Sequence, residues 1–576
     1  MFRAGFDSVN SDVGAAALPR AVDERQTRRR GSRTAVHRIR RAGVRAVSPD
    51  ATPWWRDAVV YQIYPRSFAD TDGDGIGDLA GITSRLDYLA DLGVDALWLS
   101  PIFTSPMRDF GYDVADYCGI DPVFGTDADF DELIDGVHER GLRLLLDWVP
   151  NHSSDRHPWF VEARSSRDSS KRDWYVWKDR RSDGSPPSNW QAMFEQVSAW
   201  THDHATDQSY LHLFLAEQPD LNGANPDVEA AMHDTLRHWL DRGVDGFRAD
   251  VVNLIGKGTD VEDLPDPFWK FPLLATDRPF GHELLRRIRD LLDGYAHEPM
   301  MVGEVYLLRD GESASYLGTS DAPELHLSFD FRPLHAPWDA ERLPAAIAAM
   351  EHDFAEPRWP TFVLSNHDQV RHRTRYGSEA RARAAAVVAL TIRGTPFLYA
   401  GEELGLEDAV IPADRVVDPD GRDGCRAPIP WTADGDDESG HGWPARPWLP
   451  FPVNASTHAA EAQVDAPDSM HSLYRRLLAL RRERPVLRRG DMVIEQRPGG
   501  VLRYERSLDG ETLTVLVNLS ESPAALPPDL IDGEFVLSSS IARSDLAAPL
   551  AVNEAVVVDR GSPTEGERRA GQIRSK

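Results

Sequence analysis

From about Trp54 onward, short apolar runs rich in β-branched residues alternate with stretches whose apolar positions recur at helical spacing. The runs are Val59-Val60-Tyr61-Gln62-Ile63, Ala96-Leu97-Trp98-Leu99, Leu142 to Leu146, Gly246-Phe247-Arg248-Ala249, Met300-Met301-Val302-Gly303, Leu327-Ser328-Phe329, Thr361-Phe362-Val363-Leu364 and Pro396-Phe397-Leu398-Tyr399. Strands buried on both faces read in this unbroken apolar way, and about eight of them separated by helices predict an α/β fold, a (β/α)8 TIM barrel. Between the third and fourth runs, residues 151–219 are too long for an ordinary βα connection and too rich in Trp, Asp, Ser and Pro to continue the pattern, which predicts an inserted subdomain. Past residue 490 the period changes to alternation, as in Val501-Leu502-Arg503-Tyr504 and Thr512-Leu513-Thr514-Val515-Leu516-Val517. Such alternation between Gly and Pro turns predicts an all-β C-terminal sandwich domain over 490–576. The barrel then comprises 51–150 and 220–489.

Residues 1–50 share none of this periodicity and carry Arg28-Arg29-Arg30 and His37-Arg38-Ile39-Arg40-Arg41, the composition of a disordered basic tail. The whole chain of 576 residues nevertheless has a formal net charge of -29, which repels nucleic-acid phosphates and anionic lipid headgroups. A neutral substrate suits it better. No apolar stretch reaches the length of a membrane span and no secretory h-region opens the chain, so a cytoplasmic protein is expected. Two distant cysteines, Cys118 and Cys425, fit a reducing compartment rather than a disulfide scaffold.

In a barrel of this kind chemistry is done at the C-terminal ends of the strands. There the third run leads into Asp147-Trp148-Val149-Pro150-Asn151-His152, the fourth into Arg248-Ala249-Asp250, the fifth into Glu304 and the seventh into Asn366-His367-Asp368. One strand-end acid could be a helix cap or an ion-pair partner; Asp250, Glu304 and Asp368 on three strand ends suggest a shared site. Hydrolysis of a glycoside with retention needs one carboxylate to attack the anomeric carbon and a second, protonated, to serve the leaving oxygen. Asp250 and Glu304 suit these roles, and Arg248, two residues before Asp250, points the same way and can orient it.

These segments, in this order, resemble the signature regions of the α-amylase family, glycoside hydrolase family 13. Gln218-Pro219-Asp220-Leu221-Asn222 is similar to a further region marking its oligo-1,6-glucosidase and α-glucosidase group. The resemblance runs from about Trp54 to the C-terminus. It implies Asp250 as nucleophile, Glu304 as acid/base and Asp368 as the acid that grips sugar hydroxyls, with His152 and His367 bonding hydroxyls of the same glucose. In Met107-Arg108-Asp109-Phe110-Gly111-Tyr112-Asp113 it implies Asp109 as binder of the terminal 4-hydroxyl and Tyr112 as a stacking residue, with Asp113 a competitor for the acid's role. It also implies Arg426 as the arginine facing that acid, with Arg422 as the alternative. Val251 goes, in the resembling group, with α-1,6 linkages.

The implied activity is exo-acting α-glucosidase on short oligosaccharides, by a monomer or homodimer. Trehalose-6-phosphate hydrolysis, sucrose-active transglucosylation and an inactive sugar-binding relative are the alternatives. Asp70-Thr71-Asp72-Gly73-Asp74-Gly75-Ile76-Gly77-Asp78 spaces oxygen ligands like an EF-hand loop, but Gly81 stands where the closing Glu belongs and a strand precedes it. The resembling enzymes hold a structural metal here, which implies Ca2+, or Mg2+, on Asp70, Asp72, Asp74, the Ile76 carbonyl and Asp78.

Overall fold

The computed structural model describes residues 52–561 apart from 195, 260, 266–278, 308–310, 419, 437 and 498. The basic tail lies outside the described residues. Eight strands run parallel: β1 Val60–Ile63, β2 Ala96–Leu99, β3 Arg143–Trp148, β4 Gly246–Ala249, β5 Met300–Gly303, β6 Leu327–Ser328, β7 Thr361–Val363 and β8 Thr395–Tyr399. Apart from β6 and β7, each pairs with the next in sequence, and β1 pairs with β8. At the one seam without a backbone ladder, Thr361 Oγ1 of β7 donates to the Ser328 carbonyl of β6 at 3.1 Å. This is the (β/α)8 barrel the apolar runs predict. Every residue of β1, β2, β4, β5 and β8 is buried, because side chains alternate between the barrel interior and the encircling helices.

The helices follow from local sequence. Asp127–Glu139 opens with a capping box in which Thr126 and Asp129 exchange hydrogen bonds, and Pro226–Asp241 has Asn225 as cap with Pro at its first position. Helix Glu379–Thr391 differs: Ala382 through Thr391 are all buried, with no polar face. It is covered from both sides, since helix Met470–Glu483 and the C-terminal sheet pack on it.

Between β3 and β4 the chain forms helix Pro158–Ser165 and a three-stranded antiparallel sheet of Trp177–Lys178, Gln208–Leu211 and Trp200–Asp203. At the C-terminal end β9 Asp491–Arg497, β10 Val501–Leu508, β11 Glu511–Asn518, β12 Glu534–Ser538 and β13 Ala555–Asp559 form an antiparallel sheet in the order 9-10-11-13-12. Asp509 and Gly510, both at positive φ, close the β10–β11 hairpin as an Asp-Gly turn. One face of this sheet meets the barrel helices; Leu516, Val556 and Val558 on the other are covered by Leu530, Leu546 and Leu550 of the loops.

Candidate active site

The register of the barrel assembles the polar centre. Asp147 of β3 and Arg248 of β4 are paired residues, so their side chains leave neighbouring strands side by side. Asp250 follows Arg248 by two, and Glu304 follows Gly303, the partner of Ala249. Arg248 Nη1 lies 2.8 Å from Asp147 Oδ1 and 2.7 Å from Asp250 Oδ1, and Nη2 meets Glu304 Oε2. All four side chains are buried. Three carboxyl groups around one guanidinium away from water cannot all ionise, so at least one must keep its proton. Burial pushes Glu304 well above the ordinary carboxylate range, with Asp250 and Asp368 adding to the rise. Asp250 is also raised by burial, but Arg248 and a hydrogen bond from Glu304 oppose this. Asp147 is pushed up to about 7 by burial.

The backbone after Asp250 is unusual. Val251 adopts φ 36° and ψ 50°, the left-handed region that a β-branched side chain avoids. Its neighbours hold it there: Asp250 N donates to the Trp148 carbonyl at 2.8 Å and Val252 N to the Glu304 carbonyl at 3.0 Å.

Asp368 has the opposite electrostatics. Burial alone would raise it, but the guanidiniums of Arg422 and Arg426, each 3.0 Å from Oδ1, hold it well below the usual range. His367 is kept neutral by burial, its pKa lowered to about 3. Gln62 Nε2 lies 2.8 Å from its Nδ1, and its Nε2 is 2.7 Å from the Tyr112 hydroxyl, which donates to Asp147 Oδ2 at 3.0 Å. Tyr112 also stacks on the His367 ring at 5.4 Å and 4°. His152, neutral for the same reason, has Nε2 3.1 Å from Gln218 Nε2, which donates to Asp109 Oδ2 at 3.1 Å.

Of the two acids near Tyr112, Asp109 faces this cluster. Asp113 accepts instead from the backbone of Arg108 and Asp109 and from Ser105 Oγ, pinning the loop. One position is corrected. The arginine that meets Asp109 is Arg422, with Nη2 2.7 Å from Oδ1. Arg426 lies one turn on and deeper: its Nε donates to the His367 carbonyl at 2.8 Å and its guanidinium lies over the Tyr64 ring, leaving it bound to Asp368.

Several residues of the cluster carry no sequence assignment. Asp147 is the third acid on Arg248. Tyr64, just past β1, stacks on His367 at 5.7 Å, and among the described residues its buried hydroxyl has no hydrogen-bond partner. Phe194 from the inserted segment lies under Arg422 at 4.9 Å. Tyr64 sits in a run that reads as core, and nothing local separates it from Tyr61.

In the loop after β1, carboxylate oxygens of Asp70, Asp72 and Asp78 lie within 4.8 Å of one another. Asp74 is raised by partial desolvation and by these like charges. Gly75, at φ 87°, lets this loop pass against the Arg446 carbonyl, where a Cβ would come within 2.3 Å. These are hard oxygen donors of the kind that Ca2+ and Mg2+ take.

Among the described residues no helix is long and apolar enough to cross a membrane. The family described as alpha amylase, catalytic domain, matches residues 62–490. A probable alpha-glucosidase of Rhizobium meliloti (strain 1021) is 42% identical over 82% of this chain and 90% of its own length. An oligo-1,6-glucosidase of Parageobacillus thermoglucosidasius is 37% identical over 83% of this chain and 92% of its own. The crystal structure of an alpha-glucosyl transfer enzyme matches with TM-score 0.81 and 38% identity, covering 88% of this chain and all of that one.

Proposed function

The chain belongs to the alpha-amylase family and is a glycoside hydrolase, and on that premise we propose that it removes terminal α-linked glucose from short oligosaccharides with retention, through a covalent glucosyl-enzyme. The observation that carries this reading is the sharing of Arg248 by Asp250 and Glu304. Their carboxyl groups are also hydrogen-bonded to each other, which is closer than the interposed water of an inverting enzyme allows, since that needs about 6.5–9.5 Å.

In this reading Asp250, held ionised by Arg248, attacks the anomeric carbon as the bond to the leaving oxygen breaks. Glu304, protonated because it is buried among acids, delivers its proton to that oxygen. The resulting Glu304 carboxylate then takes a proton from water, whose oxygen attacks the same carbon from the opposite face and releases Asp250. Two inversions give α-glucose. Asp368, ionised throughout, accepts from sugar hydroxyls and opposes the positive charge of the oxocarbenium-like transition state. His152 and His367, being neutral, line the same site without adding charge that would oppose the positive transition state. The Asp109–Arg422 pair closes the pocket beyond the first glucose, which makes the action exo.

Interception of the glucosyl-enzyme by a sugar hydroxyl instead of water would give transglucosylation, the activity printed for the alpha-glucosyl transfer enzyme similar to this chain. Val251 is the residue we assign to a preference for α-1,6 linkages. We also propose a structural Ca2+ on Asp70, Asp72, Asp74, the Ile76 carbonyl and Asp78, and action in a reducing compartment where Cys118 and Cys425, both free, persist. Release of glucose from isomaltose and maltose tests the substrate class; no release from either, with turnover of sucrose or trehalose-6-phosphate, would replace it.

A further inference from the structure

Lys257 lies seven residues after Asp250, at the end of the loop that the left-handed Val251 initiates, and its side chain is 1% exposed. A buried ammonium is costly unless paired, and burial lowers the pKa of this one. Three segments satisfy it. Nζ donates to Asn151 Oδ1 at 2.6 Å at the end of β3, lies 3.1 Å from Asp220 Oδ2 at the end of the inserted segment, and reaches the Leu254 carbonyl of its own loop at 3.3 Å. The first two segments are also bridged directly, His152 pairing with Asp220.

We propose that Lys257 is a positioning residue which, through Asn151, fixes how His152 is presented to the sugar; the proposal rests on the glucosidase reading and on the role of His152 in it. Lys257 binds Asn151 Oδ1, and Asp220 Oδ1 lies 3.4 Å from Asn151 Nδ2, so the amide is oriented from both ends. It therefore turns its NH2 to His152 Nδ1, 3.1 Å away. On the other side of the ring Gln218 is oriented as firmly, its Oε1 accepting from Leu215 N at 3.0 Å while its Nε2 faces both Asp109 and His152 Nε2. A neutral imidazole has a single acceptor nitrogen, and two amide donors compete for it. The ring is also hydrogen-bonded to the Tyr112 backbone, so three protein groups fix its tautomer and its plane. Without Lys257 the Asn151 amide is free to turn its oxygen to the ring. Nδ1–H then gains a competing protein acceptor, and neither the tautomer nor the plane of the ring is fixed any longer.

The test is a double-substitution cycle on p-nitrophenyl α-glucoside. Lys257→Met should lower kcat/KM by up to about 100-fold in the wild-type background, as loss of orientation does, but by no more than about threefold when His152→Ala is already present. The loss should fall on kcat as well as KM. Asn151→Ala, which leaves the Lys257–Asp220 pair intact, should show the same coupling to His152→Ala and covers the case in which Lys257→Met does not fold. Equal losses in both backgrounds for the folded variants would assign Lys257 to fold stability alone and overturn the proposal. A wild-type enzyme inactive on α-glucosides would instead overturn the glucosidase reading, before any variant is compared.

Discussion

Asp109 and Arg422, 313 residues apart in the chain, meet with Nη2 2.7 Å from Oδ1. Arg422 is shared with Asp368 and Asp418, so removing Asp109 leaves the guanidinium paired. Asp109→Ala should therefore fold, while losing a buried, charge-assisted contact of about 2–5 kcal/mol to the last sugar. The expected result is a fall in kcat/KM of roughly 100-fold, mostly in KM, together with a smaller penalty for substrates extended beyond that sugar. Steady-state kinetics on isomaltose and longer isomalto-oligosaccharides measure both.

The directions in which the two central acids are shifted give a pH profile with a definite sign. Asp250 must be ionised to attack, and burial raises it against the pull of Arg248 and Glu304, so activity falls at low pH along a limb set above the ordinary carboxylate range. Glu304 must hold its proton, and burial raises it well above the ordinary range, so activity falls at high pH as the proton leaves. Glu304→Gln should lose the alkaline limb of kcat/KM and about 100- to 10,000-fold in rate on unactivated disaccharides. The penalty on p-nitrophenyl α-glucoside should be much smaller, because that leaving group needs little protonation. Equal losses on the two substrates would exclude Glu304 as the acid.

Glu402, just after β8, is buried with Oε1 unbonded among the described residues; His372 Nδ1 is 3.9 Å away and Tyr474 3.5 Å from Oε2. Burial pushes this carboxyl from an ordinary 4.5 to about 8, so between those values the folded chain holds a proton that the unfolded chain has lost. Its stabilising contribution is complete below about 4.5 and disappears as pH rises to about 8. Glu402→Gln should flatten that slope, raising Tm relative to wild type more at pH 8 than at pH 5. A Tm difference that does not change with pH would contradict it.

If the Asp70–Asp78 loop holds calcium, chelation should lower Tm and leave the active-site chemistry otherwise intact. Calcium at 100 times its Kd adds about 2.7 kcal/mol of stability. Differential scanning calorimetry with EDTA and then excess CaCl2 should show Tm fall and recover in the wild type and stay unmoved in Asp78→Asn. Recovery with magnesium alone would assign the smaller ion.

The barrel was legible because strands buried on both faces must be apolar throughout and must end in polar residues where chemistry is done. Asp250, Glu304 and Asp368 stand out at three such ends. Helix Glu379–Thr391 was harder, since an element covered on both sides has no stripe to read. Arg422 and Arg426 sit one helical turn apart on a 3-10 turn and its cap, and which of them reaches Asp109 depends on how that turn is held against the His367 carbonyl. Lys257 was invisible for another reason. Its partners, Asn151 and Asp220, lie 106 and 37 residues earlier, and no local pattern announces that three loops close on one ammonium.

The central claim is tested most directly by following the anomeric form of the glucose released from isomaltose and maltose, in wild type and in Asp250→Asn. The account predicts α-glucose as the first product, mutarotating afterwards, and no release by the variant. Release of β-glucose, or turnover surviving in Asp250→Asn, would contradict a covalent intermediate on Asp250.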